Sequence, residues 1–166
     1  FRYCVINETE GVSVKPVGHL VSSALGAAAV FWFLGNALSA AIFFVSSTLI
    51  DVDHLIDYIR EYGLKCFNFR VFCQSCYEFR LQKTWLVFHS FELLFVLWAF
   101  IIVLKLNMYW ISFALGVTFH YMLDCLFNPI FAGTYFFIYR WRKHFYMEKI
   151  FQKKMRERNA SHNTAY

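Results

Sequence analysis

Charge is scarce in this chain: of 166 residues only 16% are Asp, Glu, Lys or Arg, against 59% apolar and 22% aromatic. A soluble domain of this length carries about 25% charged residues, so the shortage excludes an ordinary water-soluble fold and points to a membrane protein. No Gly-rich phosphate loop, internal repeat or low-complexity segment occurs, which removes the corresponding nucleotide-binding and repeat architectures. Cysteine is sparse: Cys73-Gln74-Ser75-Cys76 has a zinc-type spacing, but a structural zinc site in the middle of the chain would need Cys4 or a His to complete it. Cys66, Cys73 and Cys76 are three thiols where four ligands are needed, so reduced, unliganded thiols are expected there, and Cys125 reads as packing.

The apolar excess sits in four stretches, Gly18–Leu34, Asn36–Ile50, Thr84–Leu104 and Met108–Phe127. The third and fourth have about the 20 residues that cross a hydrocarbon core as a helix; the first two are shorter and would thin the bilayer or tilt little. The connector Gly35-Asn36 is tight enough to make the first two an antiparallel hairpin. A secretory signal peptide is the competing reading of Ser22–Leu34, with Ala37–Ala41 as a small-residue cleavage site, but a second apolar segment follows at once. Phe131–Trp141 is too short to span and runs into Arg140, Arg142 and Lys143, so an interfacial helix or a re-entrant turn is expected. The expected architecture is therefore an all-α, polytopic membrane helical bundle with four transmembrane helices and a short interfacial helix. Residues 1–16 form an N-terminal segment, 17–130 the membrane domain with a long connector at 55–83, and 131–166 the interfacial helix and a basic tail.

Lys and Arg set the orientation. Two lie before the first stretch (Arg2, Lys15), none in the first connector, five in the second (Arg60, Lys65, Arg70, Arg80, Lys83), one in the third (Lys105) and eight after the last stretch. The positive-inside rule places both termini and the long connector in the cytoplasm, as expected of a multi-pass inner (plasma) membrane protein. The net charge of +5 then needs no nucleic acid; the basic run Lys149–Arg158 reads as a topology anchor on anionic lipid, with the lipid bilayer as the partner.

Against this background the ionisable residues stand out. His19 opens the first stretch, Asp51-Val52-Asp53-His54 closes the second, His89 and Glu92 lie near the start of the third, and His120 and Asp124 near the end of the fourth. With the stated topology all fall at the cytoplasmic face. The membrane stretches hold no Lys or Arg to neutralise the His120/Asp124 pair, and a bound cation is the simplest partner for buried carboxylates. A set made only of imidazoles and carboxylates suits a divalent metal. Spacing of i, i+4 for His120/Asp124 and i, i+3 for His89/Glu92 would put each pair on one helix face. The number of groups suits two ions sharing a carboxylate, with Asp51 or Asp53 as the bridge. Taken singly, each His has a plainer reading as a hydrogen-bonding group, and Glu92 as a partner that orients His89.

The motifs Gly18-His19, Asp51-Val52-Asp53-His54, Phe88-His89-Ser90 and Gly116–Asp124 (G-x-x-x-H-x-x-x-D), in that order over about residues 17–130, resemble the membrane-bound metal-dependent hydrolase family, which includes the YdjM-like inner-membrane proteins. The resemblance implies metal ligands among His19, Asp51, Asp53, His54, His89, His120 and Asp124. It also implies one or two divalent ions, zinc or manganese, and metal-assisted hydrolysis in which Asp53 or Glu92 takes the proton of water. The chain departs from the commoner family pattern, which has His-Arg-Gly five residues before a Thr-His-Ser; here Thr84–Ser90 has no such His, so Glu92 supplies the group or one metal position is lost. Location at the cytoplasmic leaflet suggests an amphiphilic phosphoester as substrate, a phospholipid or an isoprenoid phosphate. Arg60, Lys65 and Arg70 could hold a phosphate, or serve only as topology charges. A metal-ion transporter and a non-catalytic protein with a structural metal use the same residue types; a transporter would place them near the bilayer midplane in broken helices.

Overall fold

Gly35 and Asn36 reverse the chain as their spacing predicts. Helix α1 (Lys15–Leu34) ends at Gly35, whose φ of +60° is open to glycine, and its amide donates to Phe31 O at 2.8 Å. Asn36 then caps α2 (Ala37–Leu49) by accepting from Ser39 N at 2.9 Å. The computed structural model describes residues 15–77, 81–127 and 132–151, and among them the protein is helical without strands. The further elements are α3 (Val52–Tyr62), α4 (Phe69–Tyr77), α5 (Phe91–Val103), α6 (Met108–Phe127), α7 (Phe137–Arg142) and α8 (Met147–Ile150), with 3-10 turns at Leu64–Cys66 and Ala132–Tyr135. They form two compact units: residues 15–52 with 88–127, and residues 53–87 with 132–151. Two helical stretches, Ala37–Tyr62 and Met108–Phe127, are long and apolar enough to cross a membrane, and Gly18–Leu34 and Phe91–Val103 are shorter apolar helices.

In the first unit α2 and α6 make the most extensive contact. They run parallel, because Gly116 lies on Phe43 and Ser46 while His120, one turn on, reaches Ser47. A Cβ at Gly116 would overlap Ser46 Oγ and come within 2.5 Å of Phe43 O, so only glycine permits this approach. α1 runs opposite to both: Gly26 faces Phe43 and Phe119, and His19 faces His120. α5 is also antiparallel to α6, with Phe91 beside Tyr121 and Trp98 Nε1 donating to Thr118 Oγ1 at 3.0 Å. This unit buries polar side chains among apolar ones and exposes large apolar groups. Ser23, Ser39, Ser47, Ser112 and His120 are fully buried, while Trp32, Phe33, Phe95 and Val103 are at least three-quarters exposed.

The third apolar stretch differs from expectation. Thr84–Leu104 was expected to be one helix from its hydropathy, but the helix starts only at Phe91, with Ser90 as N-cap accepting from Leu93 N at 3.1 Å. The preceding backbone is committed elsewhere. The Thr84 amide donates to Phe145 O at 2.9 Å, and those of Trp85 and Leu86 donate to Asp57 Oδ2 at 2.7 and 3.3 Å. Amides held by other partners cannot continue a helix. His89 therefore sits in a bend before α5, and its spacing from Glu92 is not that of two residues on one helix face.

The second unit is built on α3. Tyr58, Leu81, Met147, Ile150 and Phe151 make its core, with Phe72 and Tyr139 packed against it. Asp57 and Glu61, one turn apart, hold the extended segment after residue 81; Glu61 accepts from Gln82 N at 2.8 and 3.0 Å. The expected short piece at 131–141 forms the turn Ala132–Tyr135 and α7, too short to cross a bilayer. Arg140 on α7 is buried and donates to Thr134 O at 3.2 Å and Leu86 O at 2.7 Å.

Candidate metal centre

One end of the first unit gathers five of the seven expected ligands. His19 comes from the first turns of α1, Asp51 from the turn after α2, His89 from the bend before α5, and His120 and Asp124 from the last two turns of α6. The helix directions make this possible: α1 and α5 start, and α2 and α6 finish, at the same end.

His120 is the hub. It is 0% exposed, and its Nδ1 lies 2.8 Å from Ser47 O. A carbonyl only accepts, so Nδ1 carries the proton, and in the neutral ring Nε2 presents a lone pair inward. Around that Nε2 stand His89 Nε2 at 3.3 Å, Asp51 Oδ1 at 3.4 Å and Asp124 Oδ2 at 3.5 Å. His89, 1% exposed, is itself 3.5 Å from Asp51 Oδ1 and 3.8 Å from Asp124 Oδ2. A regular tetrahedron with edges of ~3.5 Å has its centre ~2.1 Å from each corner, the length of a zinc–nitrogen or zinc–oxygen bond. The five separations of 3.3–3.8 Å around His89 and His120 are in the range of donors that share a metal ion, and the buried His and Asp groups could hold one.

His19 approaches from the other side of Asp124. Its ring stacks on His120 with centroids 4.8 Å apart, and its Nε2 is 3.4 Å from Asp124 Oδ1. The two oxygens of Asp124 are thus divided, Oδ2 toward His89 and His120 and Oδ1 toward His19. His19 Nδ1 is buried without a hydrogen-bond partner among the described residues. The ligand atoms of His19, His120 and Asp124 lie within 4.8 Å of one another, close enough to share an ion. Asp51 leaves the cluster open on one side, since its side chain is 42% exposed while those of His89 and His120 are sealed.

Asp53, buried, and His54, half-buried, are on the first turn of α3, in the other unit. Glu92 is half-buried on the first turn of α5, within the unit that carries the cluster. Cys73 and Cys76 are half-buried on α4, and burial pushes the Cys73 thiol up, away from the thiolate that binds zinc. Several contributors had no legible signal. Ser47 acts through its carbonyl, which any residue could offer. Tyr121 donates its hydroxyl to Phe88 O and so ties down the bend carrying His89; only its position beside His120 hinted at this. Compared with protein-family models, curated proteins and solved structures, the chain matches none.

Proposed function

We propose that this chain is a multi-pass inner-membrane protein with a metal-dependent hydrolase centre at its cytoplasmic face. Asp51, His89, His120 and Asp124 hold one divalent ion, zinc or manganese, and His19 completes the site from the far oxygen of Asp124. The observation that carries the reading is the approach of the His89 and His120 Nε2 atoms to 3.3 Å with carboxylate oxygens of Asp51 and Asp124 beside them. Lone pairs converging in a buried space repel unless a proton or a metal ion lies between them, and two imidazoles with two carboxylates are a donor set suited to a metal ion. The membrane reading draws support from the first unit, because serines and histidine inside with Trp and Phe outside is the arrangement that lipid, not water, stabilises. On it, α1, α2, α5 and α6 are the four spans, with the bilayer thinned locally around the 13-residue α2 and α5.

A divalent ion at this position supplies Lewis acidity toward a phosphoryl oxygen and toward water. The chain's own groups do the rest. Ser47 O and the hydroxyl of Tyr121 fix the two buried imidazoles, and Asp51 keeps the exposed side open to substrate. Of the two carboxyls read as general bases, Glu92 stands on the first turn of α5, in the unit that carries the ligands, and is taken as the proton acceptor. The substrate class that fits a polar centre at the ends of lipid-facing helices is an amphiphilic phosphoester, such as a phospholipid or an isoprenoid phosphate. A transporter is disfavoured because the ligands lie at helix ends, away from the middle of the helices.

The test is hydrolysis of a panel of lipid phosphates by the full chain in proteoliposomes with zinc or manganese. Phosphate release should be lost in Asp51→Ala and reduced at least about 100-fold in Glu92→Gln, the scale of a lost general base. Metal uptake into the liposomes without phosphate release would instead assign the site to transport.

A further inference from the structure

Between α3 and α4 the second unit exposes apolar side chains on a rigid mount. Leu64 is 70% exposed, Phe67 43% and Phe69 66%, three large side chains within six residues. Loose loops can expose such groups, but this one is anchored. Phe72 packs edge-on against the buried Tyr58 with centroids 5.6 Å apart, Phe67 reaches Tyr58 at 6.1 Å, and Phe67 and Phe69 flank Phe72 at 6.2 and 6.3 Å. Asn68 caps α4, its Oδ1 accepting from Arg70 N at 3.0 Å and Val71 N at 3.3 Å, while Phe72 N donates to Asn68 O at 2.8 Å. The aromatic groups are therefore held outward by the core beneath them.

Along this run the charge has one sign. Lys65 and Arg70 are exposed within the same run, and residues 62–77 contain no Asp or Glu. Exposed Leu and Phe interleaved with basic residues, without acid, match the interface of an anionic bilayer: rings enter the headgroup boundary and the cations meet lipid phosphates.

We infer that the corner formed by residues 63–70 is a lipid-docking surface that seats the second unit on anionic phospholipid. The inference is independent of the metal centre and rests on the membrane reading alone. Docked this way, the unit is held to the leaflet by Leu64 and Phe69 and steered by Lys65 and Arg70.

The experiment uses the full chain reconstituted in vesicles of phosphatidylcholine, with or without phosphatidylglycerol. Benzoylphenylalanine replaces Phe69, Leu64 or, as a control exposed elsewhere in the same unit, Gln82. Illumination should give chain–lipid adducts from positions 69 and 64 and not from 82, with several-fold higher yield when phosphatidylglycerol is present. Lys65→Glu with Arg70→Glu should remove that excess while the circular dichroism spectrum stays unchanged. Equal yields from 69 and 82, or equal yields in the two vesicle types, would overturn the inference. A chain–chain adduct from 69 would also overturn it, by giving the corner to a second copy. Metal content of the same preparations reports the other proposal separately, and resistance of the chain to alkaline extraction reports its integration in the bilayer.

Discussion

Buried acids occur in both units, and their partners differ. Asp57, in the second unit, meets backbone amides of Trp85 and Leu86; Asp124, in the first, meets imidazole nitrogens of His19, His89 and His120. Donors that the chain always carries satisfy Asp57, so its role is complete once the segment folds onto α3. Asp124 is set among groups whose protons are not fixed, one of which, His120, already spends its Nδ1 proton on Ser47 O. The same residue type is thus structural in one unit and available for a cation in the other. Burial alone does not separate the two roles; the direction of the neighbours' protons does.

The comparison can be broken most forcefully at the hub. His120→Ala should lower metal affinity by at least about 100-fold, more than the loss of an orienting partner, and isothermal titration with zinc or manganese reads it. Asp57→Ala is the mirror experiment. It strands two backbone amides and should cost about 2–4 kcal/mol in a denaturation series while leaving metal content unchanged. If it removed the metal as well, the division into structural and ligating acids would fail. Gly116→Ala should destabilise by about 1–3 kcal/mol, because the added methyl must push α2 from α6, and should weaken metal binding through the displaced Ser47–His120 contact. The smallest effect is expected at His19. If it serves Asp124 from outside the tetrahedral set, His19→Gln should lower affinity by about tenfold with the ion retained; complete loss would make His19 a ligand in its own right.

The hairpin at Gly35-Asn36 and the helix Met108–Phe127 were legible because local signals and hydropathy agreed there. The start of α5 was not. Val, Phe and Trp between residues 84 and 88 look like more helix by hydropathy, and only the distant acceptors Asp57 and Phe145 O reveal that the backbone is engaged elsewhere. Convergence of His19, Asp51, His89, His120 and Asp124 could be inferred from helix direction and topology, since parallel α2 and α6 bring their last turns together. The expected two-ion count came from summing residues, whereas the distances around His120 say which donors it meets: His89, Asp51 and Asp124. Spacing along a sequence limits which residues share a helix face, but it cannot say which oxygen of Asp124 faces which ring.

The most direct test of the central claim is X-ray absorption at the metal edge, together with metal content, on the full chain purified in detergent and loaded with zinc. One ion per chain is expected, with a shell of about four nitrogen and oxygen donors at ~2.1 Å and imidazole scattering beyond it, and background metal in a His89→Ala, His120→Ala double variant of unchanged helicity. Wild-type protein that takes up no zinc or manganese, or a double variant that keeps its ion, would contradict it.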